Sequence, residues 1–405
     1  MNSAGIAIIL LIIFIDIFKI FIGCINHIYI NKIPLKEKTG IFTYEELEKS
    51  LNYHNMKFYP ALINSLISIF IFALLFLGGY IQKYDRFLFE NFNTYTHAIL
   101  IFFGFSFINF LIGLPFDIYD NFFVEKRFGF NKMTILTFLK DVAISSVISV
   151  ILVCALLSGV LFIIANYETY WVIIASIFVI GFMLFTTYIY PWAIAPLFNK
   201  FEPLKDKELE EDIFSLSKKA GFSLKNIFQM DASKRTAHSN AYFTGLGRNK
   251  RIVLFDTLLK NHSKDEILAI LAHEIGHYKL NHIKIMLSVS IVFIVITFAA
   301  ANFIVFSSYI YNSLGFAESL PGGLFIVSII FSPISFIVSP FLMMLYRKHE
   351  YEADKFSYNI ICNKSALKEA LIKLHKHNLS FPYPHLLYVF FKYTHPPLIS
   401  RLEKL

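Results

Sequence analysis

The side chains of this sequence best suited to chemistry are His273 and His277, with Glu274 between them. On a helix, positions i and i+4 share one face, so both imidazoles can hold one zinc ion. The intervening glutamate can then act on a zinc-bound water. The HExxH spacing therefore predicts a catalytic zinc centre, although a polar helix face that carries two histidines would give the same letters.

The segment around this motif has the signals of a helix. Ser263 suits the N-cap position, and Glu266 at the third helical position completes a capping box. Apolar residues then follow at helical spacing and give the helix a face for packing. These residues are Ile267, Leu268, Ile270 and Leu271.

A third protein ligand is needed, because catalytic zinc sites take three protein ligands and a water. A metzincin would place a histidine at position 283, but that position is Ile283. The neighbouring His282 should point away from the histidine pair by helical geometry. The sequence therefore favours a thermolysin-like site, in which a glutamate from a separate downstream helix is the third ligand.

The segment from Arg347 to Phe356 offers that glutamate. Glu350 and Asp354 share a helix face at i and i+4, so one can bind zinc while the other supports a ligand histidine. Glu352 lies about 200° away around the same helix and should face elsewhere. Without HExxH, a solvated charged turn at the end of a membrane helix would explain these carboxylates; with it, we favour the ligand interpretation.

Composition places the chain in a membrane. Of its 405 residues, 56% are hydrophobic, 46 are Phe and only 16% are charged. The net charge of +8 is spread over many short polar segments with no dense basic stripe, so we expect no nucleic-acid partner. The cysteines Cys24, Cys154 and Cys362 are widely spaced and predict lone thiols rather than disulfides.

Seven apolar runs are long enough to cross about 30 Å of hydrocarbon. The first is not a signal peptide, because it lacks a basic n-region and a cleavage site; its Asp16 and Lys19 can neutralise each other. Pro191, Pro333 and Pro340 predict kinks or helix ends. The runs are approximately Ile6 to Ile25, Pro60 to Ile81, His97 to Pro115, Val142 to Ala165, Trp171 to Tyr190, Ile285 to Ile310 and Leu324 to Leu345.

The number of lysine and arginine residues alternates between high and low along the links that join these runs. The first, third and fifth links and the C-terminal tail hold 5, 4, 15 and 10 of the 37, whereas the second link holds two and the fourth and sixth hold none. The positive-inside rule then places the odd-numbered links, and HExxH with them, in the cytoplasm. We expect a multi-pass protein of a bacterial cytoplasmic membrane, or of the endoplasmic reticulum if the source is eukaryotic.

This reading divides the chain into four parts. Residues 1–190 hold five transmembrane helices and their loops, and residues 191–284 form a cytoplasmic catalytic segment with the HExxH helix. Residues 285–346 hold transmembrane helices six and seven, and residues 347–405 form a cytoplasmic C-terminal segment with the third ligand.

The catalytic segment also has local structure of its own. An amphipathic helix is predicted from Asp206 to Gly221, with the glycine as its C-terminal cap. A hairpin is predicted from the strand Ser239 to Thr244, the Gly-rich turn Gly245 to Asn249 and the strand Arg251 to Phe255.

Six blocks of the sequence, in order and over nearly its full length, resemble the type I CAAX prenyl endopeptidase family of membrane-embedded zinc proteases. The blocks are LPFDIYDNFFVEKRFGFNKMT (Leu114 to Thr134), YPWAIAPLFNKFEPL (Tyr190 to Leu204), HSNAYFTGLGRNKRIVLFDTLL (His238 to Leu259), the HEIGH helix, EYEAD (Glu350 to Asp354) and YTHPPLISRL (Tyr393 to Leu402).

The resemblance implies a membrane α-helical fold in which seven transmembrane helices enclose a chamber, with a cytoplasmic zinc-protease domain of helices and a small hairpin or sheet. It implies one Zn²⁺ per chain, held by His273, His277 and Glu350, with Glu274 as the catalytic residue. It also implies an active-site role for Asp354, often described as a proton donor. We instead expect Asp354 to orient a ligand histidine, because a carboxylate so close to Zn²⁺ should stay ionised.

Three further elements are candidates for contact with substrate. The oxyanion of the reaction needs a donor besides zinc, and His395 is the candidate, with capping of a loop as its alternative role. Arg401, one or two turns beyond, is a structural or carboxylate-binding partner. Asn240, Ala241 and Tyr242 lie on a strand that can pair with an extended substrate, although an ordinary hairpin would need no such role.

The first functional hypothesis is a zinc endopeptidase that removes the last three residues of prenylated CAAX-type proteins, with membrane lipid around it and no stable protein partner implied. The runner-up is a quality-control metalloprotease that cuts misfolded membrane proteins without prenyl specificity. A transporter or channel is the non-enzyme alternative, but no internal repeat supports it.

Overall fold

A computed structural model describes residues 1–244 and 251–405, so the predicted turn at 245–249 lies outside the described residues. Within those ranges, seven helices are long and apolar enough to cross a membrane, which confirms the predicted number of spans. They are Ser3–Asn31, Tyr44–Leu77, Thr94–Glu125, Ile135–Asn166, Trp171–Phe198, His282–Val305 and Leu320–Ile360.

The ends of some spans differ from the predicted ends. The second helix begins at Tyr44 instead of Pro60, because Thr43 and Glu46 form a capping box and Pro60 lies inside the helix. The sixth helix ends at Val305 rather than at Ile310. Apolar composition locates the part of a helix that lies in lipid, whereas capping residues determine where the helix starts.

Proline does not interrupt these helices. The helix Leu320–Ile360 continues through Pro333 and Pro340, so neither ends the helix. Pro191 lies in a π-helical turn, Tyr190–Ile194, that prolongs the fifth span. The predicted ends at these prolines are therefore absent, and the predicted kinks stay a prediction.

Two of the spans contain a π-helical segment, Asp120–Glu125 in the third span and Tyr190–Ile194 in the fifth. In chain order we number every α-helix, and the described residues contain sixteen. They are α1 (Ser3–Asn31), α2 (Tyr44–Leu77), α3 (Tyr80–Asn91), α4 (Thr94–Tyr119), α5 (Ile135–Asn166), α6 (Trp171–Ile189), α7 (Ala195–Phe198), α8 (Lys207–Lys219), α9 (Asp256–Asn261), α10 (Lys264–Lys279), α11 (His282–Val305), α12 (Ser308–Leu314), α13 (Leu320–Ile360), α14 (Ala366–His377), α15 (Leu386–Lys392) and α16 (Leu398–Leu402).

A small mixed sheet lies between the fifth and sixth spans in sequence. The described residues give it the order β1-β2-β4-β3, with β2 and β4 parallel and the other pairs antiparallel. The predicted hairpin is present as β3 and β4, and β3 forms an outer edge. The strands are β1 (Phe201–Pro203), β2 (Asn226–Met230), β3 (Ala241–Thr244) and β4 (Arg251–Phe255).

The polar segments fold around the HExxH helix. Helix α10 starts at Ser263 with the predicted capping box, and its apolar face packs in one core with α8, α14 and β4. The predicted amphipathic helix is α8, whose N-cap is Asp206 and which is followed by Gly221 at φ +60°. Burial on several sides fixes α10, so the histidines it carries have a fixed direction.

Helix α13 connects the membrane to this core. It leaves the last span without a break and runs to Ile360, where Ser357 Oγ donates a buried 2.8 Å hydrogen bond to the Ala269 carbonyl of α10. A Cβ on Gly276 would lie 3.2 Å from Ala353 Cα and 3.2 Å from Phe356 Cβ. Glycine at this position therefore permits the close approach of α10 and α13.

The predicted four-part division of the chain stays a prediction. Helix α11 crosses its boundary at 284/285, and α13 crosses the one at 346/347.

We expect Gly276→Ala to lower the free energy of unfolding by about 1–3 kcal/mol, because the added methyl must push α13 away from α10. Gly181→Ala is the matched control, since a Cβ there meets nothing within 4 Å. It should leave stability unchanged or raise it by up to about 1 kcal/mol. Thermal unfolding of both variants in detergent measures the difference. Equal behaviour of the two variants would contradict the close-packing account.

Candidate active site

Three potential metal ligands converge between α10 and α13. Nε2 of His273 lies 3.1 Å from Nε2 of His277. The Glu350 carboxylate lies 3.5 Å from the first nitrogen and 3.3 Å from the second. Ligand atoms on a tetrahedral zinc, each about 2.0–2.1 Å from the ion, stand about 3.3–3.4 Å apart. The three side chains thus have the spacing that one zinc ion requires.

The burial of Glu350 also supports a metal site. Its side chain is only 8% exposed, and among the described residues its Oε2 accepts no hydrogen bond. The guanidinium of Arg401 is 3.5 Å away, at the long end of an ion pair. A buried carboxylate oxygen without a hydrogen bond is costly, and a bound cation would remove that cost. The donor set of two imidazoles and one carboxylate fits a metal of the zinc class.

A buried ion pair holds the first histidine. Asp354 Oδ1 lies 2.8 Å from Nδ1 of His273, and Arg401 donates to both oxygens of Asp354 at 2.8 and 2.6 Å. Asp354 and Arg401 are 2% and 8% exposed. A carboxylate this close to Nδ1 favours the tautomer and the ring orientation that leave Nε2 free for a metal. The contacts therefore suit Asp354 as an orienting group.

The charges of the site shift the pKa values of its groups. Burial lowers the pKa of His273, but the neighbouring carboxylates of Asp354 and Glu350 outweigh it and raise the pKa to about 9. The same carboxylates that favour a positive charge on that ring favour a cation beside it. Burial also raises the pKa of the Glu274 carboxyl above its ordinary value. A raised pKa suits a group that must take up and return a proton near neutral pH.

A cavity of about 610 Å³ opens beside these groups, and Glu274 lines it. Asn240 and Ala241, at the start of β3, line the same cavity. Tyr242 does not: its ring packs against Phe255, because successive residues of a strand point to opposite faces. Two of the three predicted strand residues therefore line the cavity.

The other two predicted residues come from the C-terminal segment. His395 lies in the loop between α15 and α16, with Nε2 3.3 Å from Glu350 and its side chain 64% exposed. Partial removal from water lowers the pKa of His395, so the ring is neutral at neutral pH. Arg401 lines the cavity but is buried against Asp354, which suits a structural role better than direct contact with substrate.

The expectation that His282 points away from the histidine pair is wrong. Its Nδ1 lies 3.1 Å from Nδ1 of His277. Helix α10 ends at Lys279, and Asn281 takes a left-handed φ of 60° before α11 starts, so His282 does not continue the helical register. Glu352 is expected to face elsewhere, but its Oε2 lies 2.9 Å from Nε2 of His282. An asparagine that favours the left-handed region is the one sequence signal that pointed to this break.

The fold and the site together define a multi-pass membrane metallopeptidase, and comparison with known proteins gives its family. The profile of peptidase family M48 matches residues 203–405. A profile described as CAAX prenyl protease N-terminal, five membrane helices, matches residues 24–200. The chain belongs to peptidase family M48, and the two profiles confirm the resemblance to CAAX prenyl endopeptidases that its six sequence blocks carry. Membership in a peptidase family decides for an enzyme over a transporter or channel.

Individual relatives cover most of the chain. A CAAX prenyl protease 1 homolog of Arabidopsis thaliana is 34% identical over 386 residues, which is 92% of this chain and 90% of the relative. CAAX prenyl protease 1 of Saccharomyces cerevisiae is 37% identical over 73% of this chain and 69% of its own length. The crystal structure of Ste24p from S. mikatae superposes with a TM-score of 0.92 at 29% identity, over 100% of this chain and 99% of that one.

Proposed function

We propose that this protein is a zinc endopeptidase that removes the C-terminal tripeptide of prenylated CAAX-type proteins. The observation that carries the proposal is the position of the catalytic cavity beside a second cavity among the spans. Lys392 lines both, so the two cavities adjoin. A substrate with a lipid next to its scissile bond needs such a pair of spaces, one for each part.

In this mechanism His273, His277 and Glu350 would hold the zinc. When bound, zinc supplies a Lewis acid that polarises the scissile carbonyl and acidifies a water. Glu274 takes the proton from the attacking water and later gives it to the leaving amine. Asp354 and Arg401 hold His273 in one orientation throughout, which keeps the site from rearranging between these steps.

His395 is placed to stabilise the charge that develops on the substrate. Thr394 Oγ1 lies 2.9 Å from Nδ1 of His395, so a proton on the neutral ring sits on Nε2 if the hydroxyl donates. That nitrogen faces the cavity beside Glu350. A donor there adds to the metal in stabilising the substrate oxyanion.

The peptide part of the substrate binds along the sheet edge. Strand β3 pairs with β4 on one side and, in the described part of the sheet, has no strand on its other side. An extended peptide that pairs with β3 would pass the cavity at Asn240 and Ala241. The position of the edge just before α10 brings such a peptide to Glu274.

The lipid part of the substrate has room among the spans. The second cavity measures about 600 Å³ and is lined largely by apolar side chains of α1, α2 and α4, such as Ile12, Phe72 and Phe105. Asp16 and Lys19 also line it and pair at 2.6 Å, as the sequence predicted. A chain of isoprene units fits an apolar space of this size.

A cleavage assay tests the function. We expect the purified protein to release an intact tripeptide from a farnesylated CAAX peptide, with activity lost in a chelator and restored by zinc. Glu274→Gln should lower the rate by at least about 10²-fold, because no other group replaces the base. Glu403→Gln, at an exposed position, is the control and should keep full activity.

The outcome that contradicts the proposal is equally specific. Cutting of unfolded membrane proteins without cleavage of the farnesylated peptide would favour the quality-control alternative.

We also propose that the catalytic segment faces the cytoplasm, as the lysine and arginine distribution predicts; the type of membrane stays a prediction. Cys362 is exposed after α13, whereas Cys24 and Cys154 lie within spans. In a variant with the latter two changed to alanine, a membrane-impermeant maleimide should label Cys362 only after the membrane is opened. Glu168→Cys, introduced in the same background with Cys362→Ala, should react in intact bacterial cells that express the protein. The reverse pattern would invert the topology.

A further inference from the structure

We propose that His282 is a positioning residue that orients the zinc ligand His277, and that Glu352 fixes His282 in turn. The inference rests on the zinc site of the proposed function. It concerns a group of side chains next to that site, His282, His349 and Glu352, which lie close enough together to resemble a metal site themselves.

The contacts form a chain with one consistent set of proton positions. A histidine that binds a metal through Nε2 carries its proton on Nδ1. Nδ1 of His277 therefore donates to Nδ1 of His282 across 3.1 Å. His282 then carries its own proton on Nε2 and donates it to Glu352 Oε2 at 2.9 Å. Each nitrogen and the receiving oxygen has one role, so the chain is complete with neutral rings.

Burial holds these hydrogen-bonded side chains in place. His282 is 3% exposed and its ring stacks on that of His349, with centroids 4.0 Å apart and planes 8° from parallel. Glu352 is the solvent-facing end, with 42% of its side chain exposed and Lys348 3.9 Å from its Oε1. Stacking fixes the plane of the ring, and a half-turn within that plane would lose both hydrogen bonds.

The alternative, a second metal site, does not fit this geometry. A nitrogen lone pair lies in the plane of its imidazole ring, so the lone pairs of two parallel stacked rings do not converge on one ion. On a tetrahedral ion the ring centroids would also stand farther apart than the observed 4.0 Å. Both nitrogens of His282 are already engaged. The group is therefore a support for the first metal.

Each ligand histidine thus has its own support, and α13 supplies the carboxylate in each case. His273 is held by Asp354, and His277 by His282 and Glu352. Partners of this kind fix ring orientation, and their loss typically costs 10–100-fold in metal affinity. The break at Asn281 is what turns His282 back toward the ligand.

Zinc affinity of the full-length protein, measured by competition with a chromogenic chelator, tests the inference. His282→Leu keeps an apolar side chain of similar size but cannot accept a hydrogen bond, and we expect zinc affinity about 10–100-fold weaker. His282→Asn can accept and donate through its amide, so it should recover part of that loss. Unchanged affinity in His282→Leu would overturn the proposal.

A matched variant separates this role from a second metal site. His349→Phe keeps a stacked ring but removes both nitrogens. We expect it to bind one zinc per chain with wild-type affinity. Two zinc ions per wild-type chain, with one lost in His349→Phe, would overturn the proposal.

Two further readouts keep the result interpretable. If His282→Leu does not fold, Glu352→Ala carries the test: it leaves all histidines in place and should weaken zinc binding less than tenfold but measurably. Wild-type zinc affinity in Glu352→Ala would then overturn the proposed role of the hydrogen bonds from His277 through His282 to Glu352. Cleavage of the farnesylated peptide is scored separately, so a wild-type protein that binds zinc but cuts no such peptide refutes the proposed substrate and leaves the role of His282 standing.

Discussion

The contact between α10 and the last turns of α13 is the constraint on which this structure depends. One helix carries two imidazoles and the other a carboxylate, and the three groups meet only because the helices approach closely at Gly276. Since α13 is continuous from Leu320 to Ile360, its packing in the membrane also fixes where Glu350 points. The position of the last membrane span therefore determines the position of Glu350 in the candidate site.

Buried charge makes this contact specific. Asp354 and Arg401 would be costly to bury alone, but the two hydrogen bonds between them and the 2.8 Å contact of Asp354 with His273 offset that cost. On the other side of the site, Glu352 ends a chain that passes through His282. A metal centre supported from both sides would keep its shape while a substrate enters and leaves.

The sequence predicted the elements whose signals are local, and it failed where tertiary context decides. HExxH and the spacing of Glu350 from Asp354 were readable because helical periodicity places such residues on one face. The start of α2 at Tyr44 was missed, because an apolar run shows only the part of a helix that lies in lipid. The direction of His282 depends on a single left-handed residue, Asn281, between two helices, and no periodic sequence pattern predicts such a residue. The closeness of the two cavities follows from packing across the whole chain.

The central claim is that two imidazoles of α10 and one carboxylate of α13 hold a single zinc ion. Anomalous diffraction from crystals of the zinc-loaded protein, recorded at the zinc absorption edge, tests it most directly. The account predicts one peak per chain, within bonding distance of Nε2 of His273, Nε2 of His277 and the Glu350 carboxylate. A peak among His282, His349 and Glu352 instead, or a zinc ion that Glu350 does not contact, would contradict it.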